Sequence, residues 1–175
     1  MELEIEVPED RIAVLIGKDG EVKKRIEELT GCRIKVRGNA VKLECGDSLS
    51  FMRARDVVTA IARGFSPEVA MKLLEDEMVV LEVIDLSQFV SEKAMQRVKG
   101  RIIGKEGRMR KQIEDTLGVN VAVSDKYVAI IGDADAVAAA REAVMMLIEG
   151  AQHSTVIRFM ERKRREMKTR MLDWL

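Results

Sequence analysis

Gly17-Lys18-Asp19-Gly20 returns 87 positions later as Gly104-Lys105-Glu106-Gly107. The offset holds without a gap on both sides. Ile16 falls on Ile103, Lys24 on Lys111, Ile26 on Ile113, Glu27 on Glu114, Gly31 on Gly118, Val36 on Val123 and Val41 on Val128. A match of four residues arises easily by chance, but one that keeps register from Ile16 to Val41 does not. The chain is therefore read as two homologous units in tandem. With 175 residues in all, each unit is too small for a large enzyme.

Periodicity gives the order of elements inside a unit. Leu3, Ile5 and Val7 alternate with glutamates, as in a half-buried strand. Pro8 opens a short helix that ends near Ile16. After the glycine turn, Val22, Ile26 and Leu29 stripe a second helix that Gly31 stops. Ile34 and Val36 mark a strand, Gly38-Asn39 a tight turn, and Val41 and Leu43 the return strand. Asp47 or Ser48 caps a third helix. The second unit repeats the order, with Ser91 capping its first helix, Asp125-Lys126 at the hairpin and Asp133 capping its last helix. The expected fold is α+β: two βααββα units, each a three-stranded sheet against three helices. The boundaries are 1–64 for the first unit, 65–76 for a connecting helix announced by Ser66-Pro67, and 77–150 for the second. Residues 151–175 form a C-terminal basic helical extension. In the connector, Val69, Leu73 and Leu74 are expected to pack. In the extension, seven basic side chains between Arg158 and Arg170 face two acids, while Val156, Met160, Met167 and Met171 recur at helical spacing.

Composition excludes several classes. Lys+Arg and Asp+Glu are both 30, so any basic surface must be local. A hydrophobic fraction of 47% excludes disorder as the main state. No apolar run approaches membrane-spanning length. The acidic N-terminus opens straight into a strand pattern, so no signal peptide is expected and the chain is read as cytoplasmic. Aromatics at 3% argue against base stacking as the main readout. A single histidine, His153, leaves no ligand set for a metal, and no carboxylate pair stands in an apolar setting. No catalytic residue, metal or cofactor is assigned.

A four-residue turn between two helices needs glycine for its backbone angles and for close approach of a ligand. The second helix starts at the turn, so its free N–H groups favour an anion. Each turn also carries a lysine, Lys18 or Lys105, fit to pair with a phosphate. The acids beside them, Asp19 and Glu106, are read as pointing to solvent. In its order of elements and in the motifs Val14-Leu15-Ile16-Gly17-Lys18-Asp19-Gly20 and Arg101-Ile102-Ile103-Gly104-Lys105-Glu106-Gly107, residues 1–150 resemble the type I KH domain. That family binds RNA or single-stranded DNA and clamps about four nucleotides on its GxxG loop. The resemblance implies backbone contacts from Gly17, Lys18, Asp19, Gly20, Lys23 and Lys24. In the second unit it implies them from Arg101, Gly104, Lys105, Glu106, Gly107, Arg108, Arg110 and Lys111. Bases would lie in a groove lined by Ile16, Val22, Ile26 and Ile34, and by Ile103, Met109, Ile113 and Val121. Many of these eight are equally expected as core.

A narrower resemblance rests on Gly64-Phe65-Ser66-Pro67-Glu68, Lys72-Leu73-Leu74 and Arg158-Phe159-Met160-Glu161-Arg162. These are similar to the two-KH small-subunit ribosome assembly factors, a family that includes the partner of the Nob endonuclease. It implies single-stranded small-subunit ribosomal RNA near the 3′ end as ligand, with the Nob endonuclease and translation initiation factors as partners, and no membrane. The compact length resembles the archaeal members. Eukaryotic members carry a degraded first GxxG, whereas both are intact here. The rival readings are a protein-interaction adaptor on KH folds and an RNA-gripping subunit of a nuclease complex.

The two units differ in local charge. Residues 11–25 hold Arg11, Lys18, Lys23, Lys24 and Arg25 against Asp19 and Glu21, a net of +3. Residues 97–111 hold Arg97, Lys99, Arg101, Lys105, Arg108, Arg110 and Lys111 against Glu106, a net of +6. The second unit is expected to bind RNA more tightly. With a two-residue turn at Gly38-Asn39, Cys32 and Cys45 face each other across the hairpin. They are read first as a small, buried, reduced pair, with a disulfide as the alternative.

Overall fold

The computed structural model describes all 175 residues and divides into two compact units, Met1–Glu77 and Met78–Leu175. The first contains β1 (Glu2–Glu6), α1 (Glu9–Ile16), α2 (Glu21–Thr30), β2 (Arg33–Arg37), β3 (Ala40–Glu44), α3 (Ser48–Ala62) and α4 (Pro67–Glu75). The second contains β4 (Val79–Asp85), α5 (Met95–Ile103), α6 (Arg108–Leu117), β5 (Asn120–Ser124), β6 (Tyr127–Asp133), α7 (Ala134–Ile148) and α8 (His153–Asp173). The sheets are antiparallel, in the orders β1-β3-β2 and β4-β6-β5.

The strand alternation read from sequence sorts the two faces of the first sheet. Ile34, Val41 and Leu43 are buried, while Glu2, Glu4, Arg33, Lys35 and Arg37 are exposed. On the outer face Lys42 reaches Glu2 at 3.3 Å and Glu44 at 3.6 Å, and Lys35 reaches Glu44 at 3.2 Å. The hydrogen bond to Glu2 raises Lys42 above its ordinary pKa. The bond from Lys35 holds the Glu44 carboxyl below its own. Two-residue turns close both hairpins, with Gly38 at φ +58° and Asp125 at φ +51°. The end of each first strand is pinned to its hairpin in the same way. The Val7 N–H donates to the Asn39 carbonyl and the Leu86 N–H to the Lys126 carbonyl, both at 2.8 Å.

Helix starts follow the expected caps in part. The Asp47 carboxylate accepts the Ser50 N–H at 2.9 Å, and the bonds from Ser50 lower its pKa. Ser91 caps a short 3₁₀ turn, Glu92–Ala94, that leads into α5 rather than α5 itself. Asp133 stands at the cap position of α7 but makes no side-chain cap bond.

The structure revises two sequence expectations. The connector and the tail are the same element, a fourth helix laid on its own unit. The α4 helix packs on α3 and α2, and α8 packs on α7 and α6. Each compact unit is therefore βααββαα. Its α4 is capped by Ser66, which accepts the Val69 N–H at 3.3 Å. Arg53 on α3 holds its end through the Leu74 carbonyl at 2.9 Å. Its buried set is Ala70, Met71 and Leu73, because α4 is turned so that Val69 and Leu74 flank the contact. In α8 the buried set is Val156, Phe159 and Met160, while Met171 is exposed and Trp174, just past the helix, is 89% exposed.

The second revision concerns Cys32 and Cys45, which form a disulfide with Cα atoms 4.5 Å apart. The register Arg33↔Glu44 sets the two cysteines opposite each other one step beyond the ladder, within bridging distance.

Candidate nucleic-acid interface

Both glycine turns take the same backbone conformation, residue for residue. Gly17 and Gly104 end α1 and α5 at φ +74° and +75°, their N–H groups bonded back to Ala13 and Gly100. A side chain at Gly17 would bring its Cβ to 2.5 Å from Val22 Cγ2, and at Gly104 to 2.7 Å from the Met109 backbone nitrogen. These two glycines let the second helix fold back tightly on the first. Gly20 and Gly107 answer a different need. They sit at φ +76° and +75°, and a Cβ there would meet nothing within 4 Å. Their freedom keeps backbone exposed on the open side of the turn, where a ligand can approach closely.

Between the glycines, Asp19 and Glu106 take the left-handed conformation at φ +54° and +56°. Non-glycine residues adopt it at a cost of about 1–2 kcal/mol. Both turns accept this cost at the same position. Lys18, Asp19, Lys105 and Glu106 are all exposed. Glu106 does not simply face water, since its carboxylate stands 3.4 Å from Arg108. No side chain caps α2 or α6, whose cap residues are Gly20 and Gly107. The Glu21 and Arg108 N–H groups bond back to the Lys18 and Lys105 carbonyls, so each helix starts tightly on its turn, with no side chain over its positive end and an exposed lysine beside it, an arrangement suited to a phosphate.

The predicted contact residues separate on inspection. Lys24, Lys105, Arg108 and Lys111 are exposed. Arg101 instead turns inward and donates to the Ala151 carbonyl. Arg11 does the same work in the first unit, donating to the Ile61 and Phe65 carbonyls at 2.8 and 2.6 Å. Each of these arginines ties a unit's first helix to the joint before its fourth. Lys23 and Arg110 are half-buried and bound to Glu27 at 3.4 Å and Glu114 at 2.9 Å.

Of the residues predicted to line a groove, Ile26, Ile34, Met109, Ile113 and Val121 are core, each no more than 3% exposed. Ile16, Val22 and Ile103 are half-buried at the surface beside the turns. The helix-facing side of each sheet and the inner side of its second helix share one apolar periodicity, so spacing alone does not separate core from groove.

Two side chains that the sequence reading gives no role, Glu27 and Glu114, brace the surroundings of the turns. Glu27 Oε2 accepts the Ile34 N–H at 3.0 Å, and Glu114 Oε2 accepts the Val121 N–H at 2.9 Å. Arg110 adds a bond to the Val121 carbonyl at 3.3 Å. In both units this glutamate joins the helix that starts at the glycine turn to an edge strand. It therefore fixes the distance between them. The 87-residue offset pairs the two glutamates, but nothing in the sequence says what they bond.

Comparison with known proteins bears on this geometry. Residues 2–59 match the KH domain family. Residues 80–165 match the second KH domain of PNO1 proteins, described as a eukaryotic type KH-domain (KH-domain type I). A KH domain-containing protein of Methanocaldococcus jannaschii is 45% identical over 170 residues, covering 94% of this chain and 74% of that protein. This chain belongs to the tandem KH-domain proteins related to PNO1 and Dim2. The pre-rRNA-processing protein pno1 of Emericella nidulans is 30% identical over 145 residues, 79% of this chain. The chain spans about half the length of such eukaryotic relatives, 56% and 49% in two fungal proteins. Dim2p from Pyrococcus horikoshii superposes with a TM-score of 0.85 at 43% identity, covering 93% of this chain and 99% of the other. An a/eIF2alpha–aDim2p–rRNA complex from the same organism gives a TM-score of 0.86 at 42% identity, covering 95% of both chains.

Proposed function

We propose that this KH protein is a non-catalytic ribosome assembly factor that binds single-stranded small-subunit ribosomal RNA near its 3′ end during pre-rRNA maturation. One observation carries the reading above the others: two glycine turns of the same geometry, each with an uncapped helix start and an exposed lysine. Phosphates would lie over Gly17–Gly20 and Gly104–Gly107, held by backbone N–H groups and by Lys18, Lys24, Lys105, Arg108 and Lys111. Lys23, Arg101 and Arg110 shape the site from behind. Ile16, Val22 and Ile103 offer the apolar surface next to the turns. A related Dim2p forms a complex with rRNA and an initiation-factor subunit, which supports rRNA as ligand and an initiation factor as partner here. The Nob endonuclease is the other proposed partner, and the cytoplasm the proposed place of action. No helix is long and apolar enough to cross a membrane.

Crosslinking the protein to RNA in cells and sequencing the bound fragments tests the reading. Fragments are expected to gather near the 3′ end of small-subunit ribosomal RNA. Fragments spread over messenger or large-subunit RNA would overturn it.

A further inference from the structure

The helix α8 runs for 21 residues and uses one side for packing. Val156, Phe159 and Met160 are buried there, and Met167 is half-buried along the same line. With about 3.6 residues per turn, Arg158, Arg162 and Arg165 fall together on the opposite side. All three are exposed. Arg162 has Glu166 at 3.9 Å, but Arg158 and Arg165 have no carboxylate within ion-pair distance. Arg164 and Lys168, nearer the packed side, have none either.

A run of like charge is ordinarily a solvated face, and solvated faces gain by mixing signs. This chain has equal numbers of acids and bases, yet α8 gathers seven bases against two acids between Arg158 and Arg170. Cations three and four residues apart repel in the free protein. A polyanion laid along them removes that repulsion. The helix is also anchored at the glycine turn of its own unit. Arg101, three residues before Gly104, donates to the Ala151 carbonyl, and its own carbonyl lies 3.0 Å from His153 Nε2. At about 1.5 Å per residue, the stripe starts roughly 8 Å along α8 from His153 and reaches roughly 18 Å at Arg165.

We infer that the outer face of α8, through Arg158, Arg162 and Arg165, is a second RNA-backbone surface that takes RNA continuing past the Gly104–Gly107 turn. The inference rests on the RNA-binding reading above and gives it a length. The turn holds a short segment, and α8 adds affinity only for longer RNA.

The test uses the full chain and two random-sequence single-stranded RNA pools, of five and of sixteen nucleotides. The triple change Arg158→Gln, Arg162→Gln and Arg165→Gln removes charge from exposed positions. Binding of the sixteen-nucleotide pool should fall about tenfold and its salt slope by roughly two, at about 0.7 per single-strand phosphate contact. Binding of the five-nucleotide pool should stay the same. No change in either pool would overturn the inference and assign the stripe to an acidic protein partner. An equal loss in both would overturn it as well, since a diffuse field rather than a contact path would then be at work. A second measurement needs no variant. On the unaltered protein the longer pool must show the steeper salt slope, and equal slopes would refute the surface. Failure of the RNA-binding reading looks different, because changes at the Lys105-Glu106 turn would then leave the five-nucleotide pool unaffected.

Discussion

Cys32 and Cys45 of the first unit stand, at the common offset, where the second unit has Val119 and Gly132. In the first unit the positions are covalently joined. In the second, a Cβ on Gly132 would come within 2.8 Å of Val119 Cγ1, so one side chain already fills the space. The fourth helices differ as much, 9 residues in α4 against 21 in α8. The turns hardly differ. Asp19 and Glu106 are both left-handed, at φ +54° and +56°, and the glycines beside them agree as closely. What closes and braces each unit differs between the two, while the backbone of the glycine turn is the same. That pattern fits a turn constrained by its ligand and a scaffold constrained only to fold.

The largest expected effect separates the units by stability. Reducing the disulfide, or replacing Cys32 and Cys45 by alanine, should cost the first unit about 3 kcal/mol, the chain-entropy value for a loop of this length. Amide hydrogen exchange should quicken in β2 and β3 and stay unchanged in β5 and β6. Equal quickening in both sheets would show that the units do not hold their stability separately.

Next comes the turn. Lys105→Asp with Glu106→Asp should weaken RNA binding by roughly tenfold to a hundredfold, the worth of one or two charge-assisted hydrogen bonds. The matching Lys18→Asp, beside the native Asp19, should weaken it less, following the +3 and +6 of the two stretches. Binding isotherms of the full chain at several salt concentrations decide this. An equal loss would mean that apolar contact rather than phosphate contact sets affinity.

A smaller effect is expected behind the turn. Glu114→Ala leaves the Val121 N–H without its acceptor and should cost about 1 kcal/mol, while Glu114→Gln keeps an acceptor and should cost less. Glu27→Ala should cost less than Glu114→Ala, since its Lys23 bond is longer, 3.4 Å against 2.9 Å for Arg110. Thermal unfolding with exchange at Ile34 and Val121 reads the order. Smallest of all, Asp19→Gly and Glu106→Gly should each stabilise by a few tenths of a kcal/mol, a left-handed penalty removed and glycine's entropy added. The two gains should match, and unequal gains would break the equivalence of the turns.

Much of this was legible because it is periodic. The offset, the strand alternation and the glycine pairs each have one simple structural meaning, and the element order followed from them. The groove was less legible, since Ile26 and Ile34 serve the core at the spacing a groove wall would show. Long-range polar roles were not legible at all. Arg11 and Arg101 bond carbonyls 50 or more residues away. The hairpin register that faces Cys32 with Cys45 was readable from the turn, but whether the sulfurs are joined was not. The common fourth helix escaped notice because Ser66-Pro67 and a run of arginines look unlike each other, and packing side rather than composition makes them equivalent.

Trp174 is the only tryptophan in the chain and lies outside both cores, at the end of α8. Its indole is bathed in water in the folded protein as in the unfolded one. Intrinsic fluorescence excited at the tryptophan band should therefore be red-shifted from the start, open to collisional quenching by iodide, and nearly blind to the melting of either sheet. The same blindness makes it a clean local reporter. A blue shift or a loss of quenching in this protein would mean that something has come to rest on the tip of its last helix.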